Sequence, residues 1–96
     1  METVRFEWDP GKDFDNFAKQ GVSFVEAQLA FADERCVIVH DADHSANEFR
    51  YYCFGRVESG ILTVRFTMRA DVIRIIGAGF WRKGKAFYER ENSLYR

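Results

Sequence analysis

The sequence predicts an α+β domain in which an antiparallel β-sheet carries an N-terminal helical hairpin and a C-terminal helix. Helix-capping signals cluster in residues 9–31, period-two alternation of apolar residues fills residues 36–78, and a helical pattern returns after residue 79. With 96 residues, 47% of them hydrophobic, the chain suffices for one core and therefore for a single domain over residues 1–96.

Residues 4–8, VRFEW, have the β-branched and aromatic content of a short strand. Asp9 then fits the N-cap of a helix with Pro10 at its first position, and Gly21 ends that helix. Its apolar residues at helical spacing are Phe14, Phe17 and Ala18.

A second helix is predicted from Ser23, which forms a capping box with Glu26. Its apolar side is formed by Val25, Ala27, Leu29, Ala30 and Phe31. Strand-like periodicity then covers residues 36–41, 47–56, 61–69 and 72–78. Short polar loops join the last three segments, which is typical of an antiparallel meander.

Alternation along residues 61–69 separates two faces of the sheet. One face receives Leu62, Val64, Phe66 and Met68, and we expect the helices to cover it. The other receives Thr63, Arg65, Thr67 and Arg69, joined from the preceding strand by Arg50, Tyr52, Phe54 and Arg56. This mixture of cations and aromatic rings suits single-stranded nucleic acid, although a solvated outer face has the same pattern.

Charge is divided unevenly along the chain. Residues 1–48 hold four Lys/Arg and eleven Asp/Glu, a net charge of −7, whereas residues 49–96 hold ten Lys/Arg and four Asp/Glu, a net charge of +6. A basic face can therefore exist on a domain whose total charge is −1, and such a face attracts phosphate backbones. Interleaving of the two halves in space would instead neutralise both.

Compartment signals favour the cytoplasm. Cys36 and Cys53 lie in apolar stretches without CxxC spacing, which indicates a reduced pair of small core residues. The sequence has no apolar run long enough to span a membrane and no signal peptide, so we expect no membrane association.

Two candidate motifs fail on their chemistry. Residues 79–85 have the glycine and lysine spacing of a P-loop, but Ala86 stands where a magnesium-binding Ser or Thr is required. In HDADHSANE, residues 40–48, the two histidines lie in a turn between strands, which does not favour a metal site. That turn could hydrogen-bond its own backbone, or it could supply His44 and Glu48 for proton transfer.

The order and spacing of many short elements together resemble the BrnT toxins of type II toxin–antitoxin systems. These elements are FEWDP, KQGVSF at 19–24, DADHS at 41–45, FTMR at 66–69 and IRII at 73–76. The resemblance covers nearly the whole chain. It implies a RelE/ParE-like fold and a ribonuclease that inhibits translation in the cytoplasm, with neither metal nor cofactor. It also implies a hetero-oligomer with a BrnA-like ribbon-helix-helix antitoxin.

The same resemblance suggests a site. In metal-independent cleavage the RNA supplies its own 2′-hydroxyl, so the protein needs proton-transfer groups and cations near the phosphate. We expect the catalytic residues to be Arg69, Lys85, Arg74, His44, Glu48 and Tyr88. We expect the RNA-binding residues to be Arg50, Tyr52, Arg56, Arg65, Arg82 and Lys83. Arg74 shares a face with Val72 and Ile76, so a structural ion pair is its alternative role.

Two departures from the BrnT pattern raise a second hypothesis. Gln20 stands where many members have His, and Gly77-Ala78-Gly79 stands where many have Ser-Ala-Arg, so a His and an Arg are absent here. The chain could therefore be a catalytically degenerate toxin or a ParE-like module that acts through protein–protein contacts. In the catalytic interpretation, Gly77 and Gly79 turn the chain tightly, Trp81 anchors the turn and the following cations face the phosphate. The antitoxin segment is expected across Arg65, Arg69, Arg82 and Lys85.

Overall fold

A computed structural model describes residues 4–44 and 48–93 of the chain, except for the His44 side chain. The elements are β1 (Arg5–Glu7), α1 (Pro10–Gln20), α2 (Phe24–Ala27), a 3₁₀ helix (Gln28–Ala32), β2 (Val37–His40), a 3₁₀ turn (Ala42–His44), β3 (Arg50–Val57), β4 (Gly60–Arg69), β5 (Val72–Gly79) and α3 (Arg82–Glu91). No helix within the described ranges is long and apolar enough to cross a membrane.

The five strands form one sheet in the order β1-β5-β4-β3-β2. Neighbours from β2 to β5 run antiparallel, as expected. The edge strand β1 runs parallel to β5, with Phe6 opposite Ile73, so the sheet is mixed and the prediction of an antiparallel sheet is wrong for this strand. Because β1 and β5 lie at opposite ends of the chain, no hairpin turn dictates their relative direction.

The predicted helix signals are confirmed. Asp9 caps α1 by accepting the Gly11 N–H at 2.7 Å, and Gly21 ends α1 with a left-handed φ of 72°. The Ser23 hydroxyl accepts the Glu26 N–H at 3.1 Å at the start of α2. This second helix is shorter than predicted, since one α-helical turn passes directly into the 3₁₀ helix.

The main core lies on the face of the sheet that alternation predicts to be apolar. Leu62, Val64, Phe66 and Ile75 are buried there, which confirms the predicted face, whereas Met68 at the strand end is exposed. Residues from α2 and the 3₁₀ helix cover this face; they include Val22, Phe24, Ala27 and Ala30. Cys36 and Cys53 are free thiols near this core, and burial raises the pKa of the Cys53 thiol.

Helix α1 is attached to the sheet by polar contacts. None of its residues is buried, and Phe14 and Phe17 are exposed although their spacing marks an apolar face. The Asn16 side chain donates to the carbonyls of Val22 and Ala78, both at 2.9 Å, and accepts the Ala78 N–H at 3.1 Å. A half-buried amide side chain thus replaces apolar packing at this junction.

Helix α3 lies on the opposite face of the sheet, where it packs over a second, smaller cluster of Phe54, Ile61 and Tyr88. The expectation that all helices cover the first face is therefore wrong for α3. Phe54 and Ile61 share their face with the cations of β3 and β4, and they bury apolar area only if a helix covers them. This arrangement leaves part of the cationic face open beside the first turn of α3.

Candidate nucleic-acid interface

A groove of about 830 Å³ lies between the first turn of α3 and the end of β2 with the residues that follow it. Its floor is formed by side chains of β3 and β4, chiefly Tyr52, Phe54, Thr63 and Arg65. Its walls are residues 39–43 on one side and residues 81–84 with Phe87 on the other. The groove therefore joins aromatic rings to groups of both charges.

The α3 wall carries positive charge. Arg82 and Lys83 are the first residues of the helix and both line the groove. In the part of the chain that the structure describes, no side chain caps α3 at Trp81, and the helix's first backbone hydrogen bond runs from the Lys85 N–H to the Trp81 carbonyl. The earlier N–H groups of the helix are thus left for a ligand or water, and the helix dipole adds positive potential there.

Two glycines leave room for the groups that form the groove. A Cβ atom on Gly84 would overlap the Thr63 hydroxyl, so only glycine lets the first turn of α3 lie on β4. A Cβ atom on Gly77 would lie 2.9 Å from Nη2 of Arg65, whose side chain crosses β5 at that point. Gly77 and Gly79 belong to β5 and form no turn, so the predicted glycine turn is wrong. Both glycines instead leave room for the side chains of Arg65 and Trp81.

Trp81 occupies the space beside Gly79. A Cβ atom on Gly79 would overlap Cε2 of the indole ring, and the indole Nε1 donates to Oε1 of Gln20 at 3.3 Å. Trp81 is half-buried and lines the groove. Gln20 and Gly79, which stand where many BrnT members have His and Arg, therefore both contact the indole ring.

The opposite wall is acidic. Asp41 is 7% exposed and is hydrogen-bonded to the Tyr52 hydroxyl on the groove floor. Burial is the largest cause that raises the pKa of Tyr52, and the Asp41 carboxylate raises it further. The Tyr52 hydroxyl therefore stays protonated near neutral pH. Asp43 lines the same wall, and its N–H donates to Oδ1 of Asp41 at 3.2 Å.

His40 borders the groove, but its ring faces elsewhere. The imidazole packs against Phe49 and Tyr51, with ring centroids 5.2 Å and 5.7 Å away. Tyr51 points to the face of the sheet opposite Tyr52, because neighbouring residues of a strand alternate. His40 is therefore poorly placed to act on a ligand in the groove.

The groove brings together four of the six predicted RNA-binding residues, namely Tyr52, Arg65, Arg82 and Lys83. The other two lie elsewhere on β3. The Arg56 guanidinium stacks over the Tyr88 ring at 5.8 Å, and Arg50 lies opposite Thr67 with contacts of its own.

None of the predicted catalytic side chains within the described ranges lines the groove. Arg69 and Glu48 lie together, 3.8 Å apart, near the end of β4. Arg74 forms an ion pair with Glu7 at 3.0 Å, which is the alternative role weighed for it.

The remaining predicted catalytic residues lie on α3 and in the turn after β2. Lys85 forms an ion pair with Glu89 along the exposed side of α3 at 3.3 Å. Tyr88 is 2% exposed, and its hydroxyl donates to Asp33 at 2.6 Å, so burial keeps it from a ligand. The side chain of His44 lies outside the described residues.

Sequence reasoning missed Asp41, Thr63 and Asp43 as groove residues. Thr63 could have been included, because strand alternation places it on the same face as Arg65. To place Asp41 beside Tyr52 one must know how β2 pairs with β3, where Val39 lies opposite Tyr52. This register cannot be inferred from the local sequence.

Comparison with known proteins identifies the family. The family model of the ribonuclease toxin BrnT, of type II toxin–antitoxin systems, matches residues 8–84. The chain belongs to the BrnT family. The match includes every residue that lines the groove except Phe87. No curated protein matches the chain. Membership of the BrnT family makes the chain a ribonuclease toxin with an antitoxin as its partner, and it confirms the resemblance seen in the sequence.

Proposed function

We propose that this BrnT protein is a metal-independent endoribonuclease of RelE/ParE-like fold, which inhibits translation in the cytoplasm and binds RNA in the groove beside α3. The observation that supports the proposal is the groove itself, in which Arg65 lies beside Tyr52 and Arg82 and Lys83 line the wall opposite Asp41. A scissile phosphate against the cations would have proton-transfer groups within the same cleft.

The cleavage requires a nucleophile, a proton acceptor, a proton donor and groups that stabilise negative charge on the phosphate. The RNA 2′-hydroxyl attacks phosphorus, the bond to the 5′-oxygen breaks, and a 2′,3′-cyclic phosphate and a 5′-hydroxyl result. The Asp41 carboxylate would accept the proton of the 2′-hydroxyl, and the protonated Tyr52 hydroxyl would donate to the departing 5′-oxygen. Arg65, Arg82 and the open N–H groups of α3 would stabilise the charge on the phosphoryl oxygens.

The test is cleavage of a defined RNA by the purified toxin, with and without EDTA. We expect cleavage to survive EDTA, and Arg65→Ala to lower its rate about 100-fold or more, since one such donor typically contributes that much. Lys85→Ala is the matched control, because Lys85 lies one turn from Arg82 but outside the groove. Wild-type cleavage by Arg65→Ala would refute the groove as the active site, as would a larger loss in Lys85→Ala.

A second candidate site rests on one observation. Arg69 and Glu48 pair a cation with a carboxylate at 3.8 Å near the end of β4, and both were predicted to be catalytic. If Arg69→Ala abolishes cleavage in a folded protein and Arg65→Ala does not, the active site is at this pair.

We propose further that the antitoxin is a BrnA-like protein with a ribbon-helix-helix domain, and that its remaining segment covers the groove. The cations that line the groove, Arg65, Arg82 and Lys83, support this proposal, because an acidic segment would associate quickly with them. Charge reversal at Arg82 and Lys83 should slow association with the antitoxin at low salt. An unchanged association rate would show that the antitoxin binds elsewhere.

A further inference from the structure

The indole ring of Trp81 is held in a defined place beside the basic wall of the groove. Its ring atoms lie over the backbone of Gly79, where any other residue's Cβ atom would overlap them. Its Nε1 donates to Gln20, which is 61 residues away in the chain. The ring is thus supported from two separate elements, β5 and α1.

The ring is nevertheless available to a ligand. Trp81 is half-buried and lines the groove, so part of the indole is not covered by Gly79. Arg82 and Lys83 follow immediately and line the same wall. An aromatic surface next to two cations matches the repeat of a single-stranded nucleic acid, in which each base is linked through its sugar to a phosphate.

We propose that Trp81 is a stacking platform for one unpaired nucleobase of the substrate, adjacent to the phosphate held by Arg82 and Lys83. The inference rests on the proposed function, because it places the RNA in the same groove. It adds a positioning residue, Trp81, that contacts a nucleobase of the RNA, whereas Arg82 and Lys83 contact the charged backbone. The platform requires glycine at position 79, since a side chain there would displace the ring.

Fluorescence gives a direct test, because the chain has two tryptophans and Trp8 is replaceable. Trp8 packs against Phe24 in the core, with ring centroids 6.1 Å apart, so Trp8→Phe leaves Trp81 as the only reporter of the groove. We expect an uncleavable 2′-O-methyl RNA oligonucleotide to quench Trp81 emission on binding. An abasic oligonucleotide of equal length should bind without that quenching.

Binding of the labelled 2′-O-methyl oligonucleotide is then compared among variants by anisotropy. Trp81→Ala should weaken binding about tenfold, within the range that stacking of one base contributes, and Trp81→Phe should weaken it less. Gly79→Ala should reproduce the loss while keeping the indole. Phe80→Ala is the matched control, because Phe80 is exposed and does not line the groove.

Three results would overturn the platform. The first is unchanged oligonucleotide binding by Trp81→Ala. The second is a loss of affinity on Trp81→Ala that is equal for the abasic and the base-bearing oligonucleotide. The third is binding of the base-bearing oligonucleotide without quenching of Trp81 emission. Failure of the proposed function is separable: if the oligonucleotide quenches Trp81 but the toxin cleaves no RNA, the platform stands and the ribonuclease assignment of the groove falls. If the toxin cleaves RNA and Trp81→Ala has the wild-type KM, the platform falls alone.

Discussion

The Asp33–Tyr88 hydrogen bond provides a quantitative test of how α3 is attached. Oδ2 of Asp33 accepts the Tyr88 hydroxyl at 2.6 Å and the Arg56 N–H at 2.8 Å, while Oδ1 accepts the Arg35 N–H at 3.0 Å. One carboxylate therefore links the end of the 3₁₀ helix, β3 and α3. We predict that Tyr88→Phe destabilises the protein without removing a catalytic group.

The expected magnitude follows from what the substitution leaves behind. A hydrogen bond to a charged acceptor contributes about 1.5–3 kcal/mol. Asp33 keeps two backbone donors, and the phenyl ring keeps its packing, so we expect a loss at or just below the lower end of that range, about 1–2 kcal/mol. For a domain of this size such a loss lowers the Tm by roughly 4–15 °C.

The loss should depend on pH in a defined direction. Burial raises the pKa of Asp33, but hydrogen bonds from Tyr88 and two backbone N–H groups outweigh burial and hold the pKa below 3.8. This stabilisation is present above pH 3.8 and disappears as the pH falls through the folded-state pKa. Burial and Asp33 raise the pKa of Tyr88 above 10.0, so its stabilisation is lost as the pH rises past 10.0.

Urea unfolding of wild type and Tyr88→Phe at several pH values is the assay. The difference in unfolding free energy should be largest near neutral pH and should shrink below pH 3.8 and above pH 10.0. A double-mutant cycle with Asp33→Asn should recover most of the difference as coupling. A pH-independent difference would refute the reasoning. Full stability with abolished RNA cleavage would return Tyr88 to the catalytic residues.

Three further substitutions test the packing by urea unfolding. Asn16→Ala should cost about 2–4 kcal/mol, because it leaves both backbone groups of Ala78 without their partner; a loss under 1 kcal/mol would contradict this. Gly55→Ala should cost about 3 kcal/mol or more, since its Cβ atom would overlap the Ala30 carbonyl; wild-type stability would show that the 3₁₀ helix yields. Thr63→Val should be neutral or stabilising, because the buried Thr63 hydroxyl has no hydrogen-bond partner in the described part of the chain; marked destabilisation would reveal a partner.

Local signals predicted much of the fold. The caps at Asp9 and Ser23 and the left-handed Gly21 depend on neighbouring residues only, and all three are confirmed. Alternation in β4 placed Leu62 and Arg65 on opposite faces, because the side-chain period of a strand is two. The exposed face of α1 was not predictable, since spacing identifies an apolar stripe but not what covers it.

The candidate site depended on contacts between distant segments. The groove forms because α3 packs on the face that carries Arg65, and this choice follows from the second cluster, which joins Tyr88 of α3 to Phe54 and Ile61 of the sheet. The Asp41–Tyr52 pair depends on the register of β2 with β3. Lys85 and Arg82 are equivalent in a local pattern, yet one pairs with Glu89 outside the groove and the other lines it.

The attachment of α3 also determines how kinetic data on this toxin should be interpreted. The helix carries Arg82 and Lys83 at its first turn, and its attachment to the sheet includes the small cluster with Phe54 and Ile61 and the bond from Tyr88 to Asp33. A variant that weakens this hold would move the cations of the groove wall and lower cleavage without touching the RNA. Loss of activity in Tyr88→Phe near its Tm would therefore imitate loss of a catalytic group. Cleavage well below the Tm separates the two, because a structural defect recovers there and a missing proton donor does not.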